Sequence, residues 1–221
     1  MVNQVSNLEK YIEHTILKPE ATLGEVKILL DEAINYKFLG VCINPVYVRF
    51  AKEYLKDSSV KVVTVIGFPL GANTSIVKGY EAKKAVEDGA DELDMVINIG
   101  AIKDKDYKKA EADIKAVVDN SGGNLVKVIL ETDLLTKEEI VEACKVSMAG
   151  GANFVKTSTG FVKGGVGATA ENVKLMYNTV SSYGLEVKAS GGVRDKDAAI
   201  EMIKAGAVRI GTSSGIKIVS D

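Results

Sequence analysis

Three ionisable residues lie inside apolar runs. Lys156 closes Asn153-Phe154-Val155-Lys156, Lys188 holds a similar place in Glu186-Val187-Lys188-Ala189, and Asp94 sits between apolar neighbours in Leu93-Asp94-Met95-Val96. A charge buried in such surroundings is costly unless it is paired. Each residue alone has a plain reading, as a paired strand charge or a side chain meeting water where a strand ends. Three together, all near the C-terminal ends of strand-like runs, favour a site. Lysines on neighbouring strands stand about 5 Å apart at the backbone, so each ammonium disfavours the charge on the other and depresses its pKa. A lysine must be neutral to attack a carbonyl, and a second cation nearby is one way to keep it so. Asp94 can then relay the proton that carbinolamine chemistry requires. Spacing alone does not decide which lysine attacks. Lys127 and Glu131 flank the run Val128-Ile129-Leu130. Lys127 begins its strand and reads as a structural charge toward the bottom, whereas Glu131 ends it, nearer the site or simply as a polar strand end.

Small-residue loops follow the same strands. Lys156 runs into Thr157-Ser158-Thr159-Gly160, and Lys188 into Ser190-Gly191-Gly192-Val193-Arg194. The last strand-like run continues into Gly211-Thr212-Ser213-Ser214-Gly215, which can open a short helix. Such residues let backbone N–H groups approach an anion closely. Arg194 has two readings, phosphate or pairing with Asp195 or Asp197, and the second is favoured for its side chain. The segment Phe161–Gly167 is too glycine-rich for a helix and reads as a mobile loop over the mouth, with Lys163 a solvated charge.

The elements that must position these residues alternate. Seven strand-like runs are clear: 40–43, 60–66, 92–97, 126–130, 153–156, 185–189 and 208–210, with a weaker eighth at 12–17. They are rich in Val and Ile and nearly continuous, as strands covered on both faces tend to be. Thr22-Leu23-Gly24-Glu25 and Thr136-Lys137-Glu138-Glu139 read as capping boxes opening helices. Further helices are expected over 74–88, 106–119, 170–182 and 196–204. Asp88-Gly89-Ala90, Gly150-Gly151-Ala152 and Ala205-Gly206-Ala207 each place a glycine suited to a left-handed cap before a strand. Eight βα units in 221 residues fit one (β/α)₈ TIM barrel over 1–221, whose active site lies at the C-terminal ends of the strands. A doubly wound open sheet is the alternative, weakened by the lack of a Gly-x-Gly-x-x-Gly or Walker pattern.

Composition narrows the function classes. Lys+Arg of 28 against Asp+Glu of 30 leaves no basic surplus for nucleic acid. Two cysteines exclude a disulfide framework, and one histidine argues against a Cys/His zinc site. The start carries no signal-peptide pattern and no apolar run has membrane-spanning length, so a cytoplasmic protein that binds neither membrane nor nucleic acid is expected.

The chain resembles the 2-deoxyribose-5-phosphate aldolases, class I aldolases on a (β/α)₈ barrel. The resemblance covers nearly its whole length. It rests on His14-Thr15, Leu17-Lys18-Pro19, Val41-Cys42-Ile43-Asn44-Pro45 and Asp91-Glu92-Leu93-Asp94-Met95-Val96-Ile97-Asn98-Ile99-Gly100. It continues through 127–132, Phe154–Phe161, Val187–Arg194 and Arg209–Gly215. The resemblance implies reversible cleavage of 2-deoxy-D-ribose 5-phosphate to D-glyceraldehyde 3-phosphate and acetaldehyde, in deoxyribonucleoside catabolism. Lys156 then matches the Schiff-base lysine, Lys188 the lysine that tunes it, and Asp94 the proton-transfer aspartate. Thr159, Gly160, Gly191, Gly192, Gly211, Ser213 and Ser214 lie where the phosphate would be held. No metal or organic cofactor is implied, and the partners are the small molecules and further copies of the chain, as a homodimer or homotetramer. Glu13 departs from the Asp many relatives carry there, which bears on how a substrate hydroxyl is held. The chain also ends at Asp221, without the tyrosine-ended tail of some relatives. The rival readings are another Schiff-base phosphosugar aldolase and a non-catalytic phosphosugar-binding barrel.

Overall fold

The computed structural model describes residues 6–220. Eight parallel strands close into a barrel in sequence order: β1 (Ile12–Ile16), β2 (Gly40–Ile43), β3 (Lys61–Ile66), β4 (Glu92–Val96), β5 (Leu125–Ile129), β6 (Phe154–Lys156), β7 (Glu186–Ser190) and β8 (Ala207–Thr212), with β8 pairing back onto β1. The helices are α1 (Leu23–Asn35), α2 (Val48–Tyr54), α3 (Ser75–Glu87), α4 (Ile99–Lys103), α5 (Tyr107–Asp119), α6 (Lys137–Ala149), α7 (Ala170–Val180), α8 (Lys196–Ala205) and α9 (Gly215–Ser220). The expected (β/α)₈ architecture is present, the weak run at 12–17 supplies its first strand, and the open sheet is excluded by closure.

Local signals explain most boundaries. Thr22 and Thr136 both form complete capping boxes, with Glu25 and Glu139. Gly89, Gly151 and Gly206 have φ of 105°, 83° and 118°, the left-handed geometry that turns each helix into the next strand. The two short helices α2 and α4, of seven and five residues, were not expected, because so few residues carry little helical periodicity. Strand β8 runs further than 208–210. Gly211 belongs to it, in register with Glu13 and Ser190, and a Cβ there would stand 3.0 Å from Lys188 Cε, so the glycine clears a path for that side chain.

Alternation along the strands divides the interior. Outward residues such as Val41, Ile43, Val62, Leu93, Met95, Val128, Val155 and Val187 join the main core beneath the helices. Inward residues are different. Cys42, Val63 and Val65 form a small apolar cluster with Leu17, and much of the remaining barrel interior is ionic. No described helix is long and apolar enough to cross a membrane.

Candidate active site

Lys156 and Lys188 are register partners on β6 and β7, and Asp94 on β4 is the register partner of Lys127 on β5. The side chains converge inside the barrel. Lys156 Nζ donates to Asp94 Oδ2 at 2.7 Å and Lys188 Nζ to the same oxygen at 2.6 Å. Lys127 Nζ donates to Asp94 Oδ1 at 3.1 Å and pairs with Glu92 Oε2 at 2.5 Å. Glu13 on β1 closes the cluster, paired with Lys188, 3.6 Å from Lys127 and 3.7 Å from Arg209 Nε. Lys127 is therefore the third residue of β5, a neighbour of Asp94 rather than a charge at the barrel bottom.

The electrostatics follow from burial and these contacts. Burial works against ionisation of Asp94, but the ammonium groups of Lys127, Lys156 and Lys188 outweigh it and hold the carboxyl well below its ordinary range. Glu13 is lowered in the same way, Lys127 and Lys188 prevailing over its burial. Lys188 departs from expectation. Its burial disfavours the charge, yet Asp94 and Glu13 raise its pKa above that of an ordinary lysine, so the lysine–lysine repulsion anticipated from spacing is overridden on this member of the pair. Lys127 is raised against its burial by Asp94 and Glu13. The cluster thus has three carboxylates (Glu13, Glu92, Asp94) and, apart from Lys156, three cations (Lys127, Lys188, Arg209). Cys42 lies in the same interior, and burial pushes its thiol up to about 11, so it is no rival nucleophile.

Lys156 alone of the three predicted catalytic residues reaches the floor of a cavity of about 430 Å³ at the C-terminal mouth, while Asp94 and Lys188 are buried out of contact with it. Thr159, Gly160, Gly191, Gly192, Gly211 and Ser213 also line this cavity. Among the described residues, the N–H groups of Gly160, Gly191, Gly192 and Ser213 have no protein acceptor. Gly191 and Gly192 have φ of 81° and 76°, conformations that aim successive N–H groups without the cost a side chain would bring.

Two expected anion donors are occupied. The N–H and hydroxyl of Thr159 bond to Glu131. Ser214 N–H donates to Thr212 Oγ1 at 2.9 Å, and Ser214 is not part of the cavity lining. Arg194 pairs with neither Asp195 nor Asp197; it lines the cavity, and Asp195 instead caps α8 through Ala198 N–H. At the end of the loop over the mouth, Asp133 accepts the N–H groups of Val166 and Gly167 at 2.9 Å each. Lys163 is exposed, as expected. Glu13 pairs with Lys188 and does not line the cavity. Sequence reading missed Glu13, Glu92, Lys127 and Arg209 as one network. Their inward strand parity was the available signal, but it does not say which strands face each other across a closed barrel. No group of three or more His, Cys, Asp or Glu among the described residues is arranged to hold a metal ion.

A cavity at the C-terminal mouth of a (β/α)₈ barrel, floored by a lysine and rimmed by free backbone N–H groups, defines an enzyme equipped for amine chemistry on the carbonyl of an anionic substrate. Residues 8–221 match the model of the DeoC/LacD family aldolases. The deoxyribose-phosphate aldolase of Staphylococcus carnosus (strain TM300) is 59% identical over 210 residues, 95% of this chain and 94% of that one. That of Clostridium tetani (strain Massachusetts / E88) is 57% identical over 215 residues, 97% and 98% of the two chains. The tetrameric structure of the deoxyribose phosphate aldolase from Aeropyrum pernix superposes with a TM-score of 0.89 at 35% identity, over 96% of this chain and 88% of that one. The chain belongs to the DeoC/LacD family of aldolases.

Proposed function

We propose that this protein is a class I aldolase that reversibly cleaves 2-deoxy-D-ribose 5-phosphate to D-glyceraldehyde 3-phosphate and acetaldehyde. The observation that carries the reading is Lys156 at the cavity floor, sharing one Asp94 oxygen with a lysine whose charge is held in place. Neutral Lys156 attacks C1 of the open-chain aldehyde. Asp94, which bonds both amines, works with a relayed water to bring the proton that turns the carbinolamine hydroxyl into water and leaves an iminium. Removal of the C3 hydroxyl proton then breaks the C2–C3 bond, and its electron pair moves into the iminium to give an enamine. Glyceraldehyde 3-phosphate departs. Protonation of the enamine carbon and hydrolysis of the imine release acetaldehyde and restore the lysine. The N–H groups of Gly160, Gly191, Gly192 and Ser213 take the phosphate, remote from the bond that breaks, and so hold the chain of the sugar in line. In this reading one domain over 1–221 acts in the cytoplasm on deoxyribonucleoside breakdown products, as a homodimer or homotetramer.

Borohydride trapping with 2-deoxyribose 5-phosphate, read by peptide mass spectrometry, tests it. A reduced two-carbon or five-carbon adduct on the peptide holding Lys156 is expected, and Lys156→Leu is expected to fold and lose cleavage. An adduct on Lys188 would keep the aldolase and reverse the roles. Binding of the sugar phosphate without any adduct would favour a non-catalytic binder.

A further inference from the structure

Glu131 lies two residues beyond β5, is 2% exposed and adopts a left-handed backbone with φ 61° and ψ 64°. A side chain is uncommon in that region, and such strain persists where surroundings over-determine it. Its two oxygens receive the Thr159 N–H at 3.1 and 3.3 Å, and the Thr159 hydroxyl bonds to the second. That hydroxyl also accepts the Phe161 N–H at 3.0 Å. Below this point the two loops are joined by their backbones, Leu130 N–H to Lys156 O at 2.9 Å and Thr132 N–H to Thr157 O at 3.0 Å. Glu131 therefore extends a backbone ladder with a side chain, one step further toward the mouth. The consequence lies at residues 159–161. Thr159 and Phe161 have their N–H groups engaged, Gly160 N–H between them is free, and the Phe161 ring meets Phe68 edge-on at 5.2 Å across the mouth. Burial pushes the Glu131 carboxyl upward in pKa against the Thr159 bonds, which fits a group held for its geometry in a dry place.

We propose that Glu131 is a positioning residue for the phosphate end of the substrate, holding the Thr159–Phe161 turn so that Gly160 N–H faces the anion. The proposal rests on the aldolase reading above, but its test separates the two. Glu131→Ala, Glu131→Asp and Glu131→Gln are compared with the unaltered enzyme on 2-deoxyribose 5-phosphate and on unphosphorylated 2-deoxyribose, and inorganic phosphate is titrated into each by calorimetry. Loss of the bridge in Glu131→Ala is expected to raise KM for the phosphorylated sugar and Kd for phosphate by about tenfold, with kcat little changed and the unphosphorylated sugar unaffected. Glu131→Asp keeps the charge, loses the reach and moves the same way, which decides the matter if the alanine variant does not fold. Glu131→Gln accepts the Thr159 N–H and donates to its hydroxyl, and is expected to restore most of the affinity. Equal loss of kcat on both sugars, or unchanged KM and phosphate Kd in Glu131→Asp and Glu131→Ala, would overturn the proposal. If the unaltered enzyme cleaves neither sugar, the aldolase reading fails, and the phosphate titration still decides the role of Glu131.

Discussion

Lys156 and Lys188 face each other in register on adjacent strands and bond to a single oxygen of Asp94, at 2.7 and 2.6 Å. The two lysines are nevertheless unlike. Lys188 is fully buried and also paired with Glu13, so its charge is fixed from two sides. Among the described residues, Lys156 pairs with Asp94 alone of the carboxylates, and it opens onto the cavity. One amine is thus paired on two sides and closed off, while the other opens onto the cavity, the division that the proposed mechanism uses.

The first prediction concerns that division. Lys188→Met removes a fixed cation beside Asp94 and leaves the carboxylate freer to favour an ammonium on Lys156. Cleavage is expected to fall by about a hundredfold or more, with the remaining activity rising toward alkaline pH. The pH dependence of kcat checks it, and a weakened enzyme with an unshifted profile would remove Lys188 from this role.

Glu13 makes a second case, for stability. Its replacement by Gln leaves Lys127, Lys188 and Arg209 short of one buried anion, a loss of about 3–5 kcal/mol when one partner of a buried pair is removed. Acid should act on the same cluster. Glu13 and Asp94 are held below their ordinary range in the fold, so on acidification the unfolded chain takes up protons first. Their stabilisation is present above about pH 4, the ordinary carboxylate value, and is lost as pH falls through the depressed native values. Urea midpoints between pH 7 and pH 3 should decline, and less steeply in Glu13→Gln. Parallel curves for the two proteins would contradict the assignment.

A third prediction lies outside the site. Lys78 and Asp113 are buried and paired at 2.5 Å between α3 and α5, and Lys78 also donates to Val96 O at 2.9 Å, at the end of the strand that carries Asp94. Ser75 donates to the other Asp113 oxygen at 3.0 Å. Lys78→Met alone is expected to cost about 3–5 kcal/mol, because Asp113 is left buried and unpaired. The double variant Lys78→Met with Asp113→Leu should recover much of that loss. Chemical denaturation of the four proteins closes the cycle, and simple additivity would show that the two groups do not stabilise each other.

The sequence by itself determined the repeating unit and the reactive set. Val- and Ile-rich runs, the Thr22 and Thr136 caps and glycines such as Gly206 act through neighbours a few residues away, so their meaning is written locally. Lys156, Lys188 and Asp94 stood out for a related reason: a charge in an apolar strand is anomalous wherever the strand lies. Short elements such as α4 escaped because five residues hold too little periodicity.

Only the tertiary structure decided who faces whom. Closure of β8 onto β1 brings Glu13 to Lys188, 175 positions away, and reverses the pKa direction expected for that lysine. The same folding spends Thr159 on Glu131, removes Ser214 from the cavity lining and leaves Arg194 facing the cavity. Hydrogen bonds and buried charges depend on distances of a few ångströms across the barrel. No local pattern encodes those distances, because they arise from the packing of all eight strands at once.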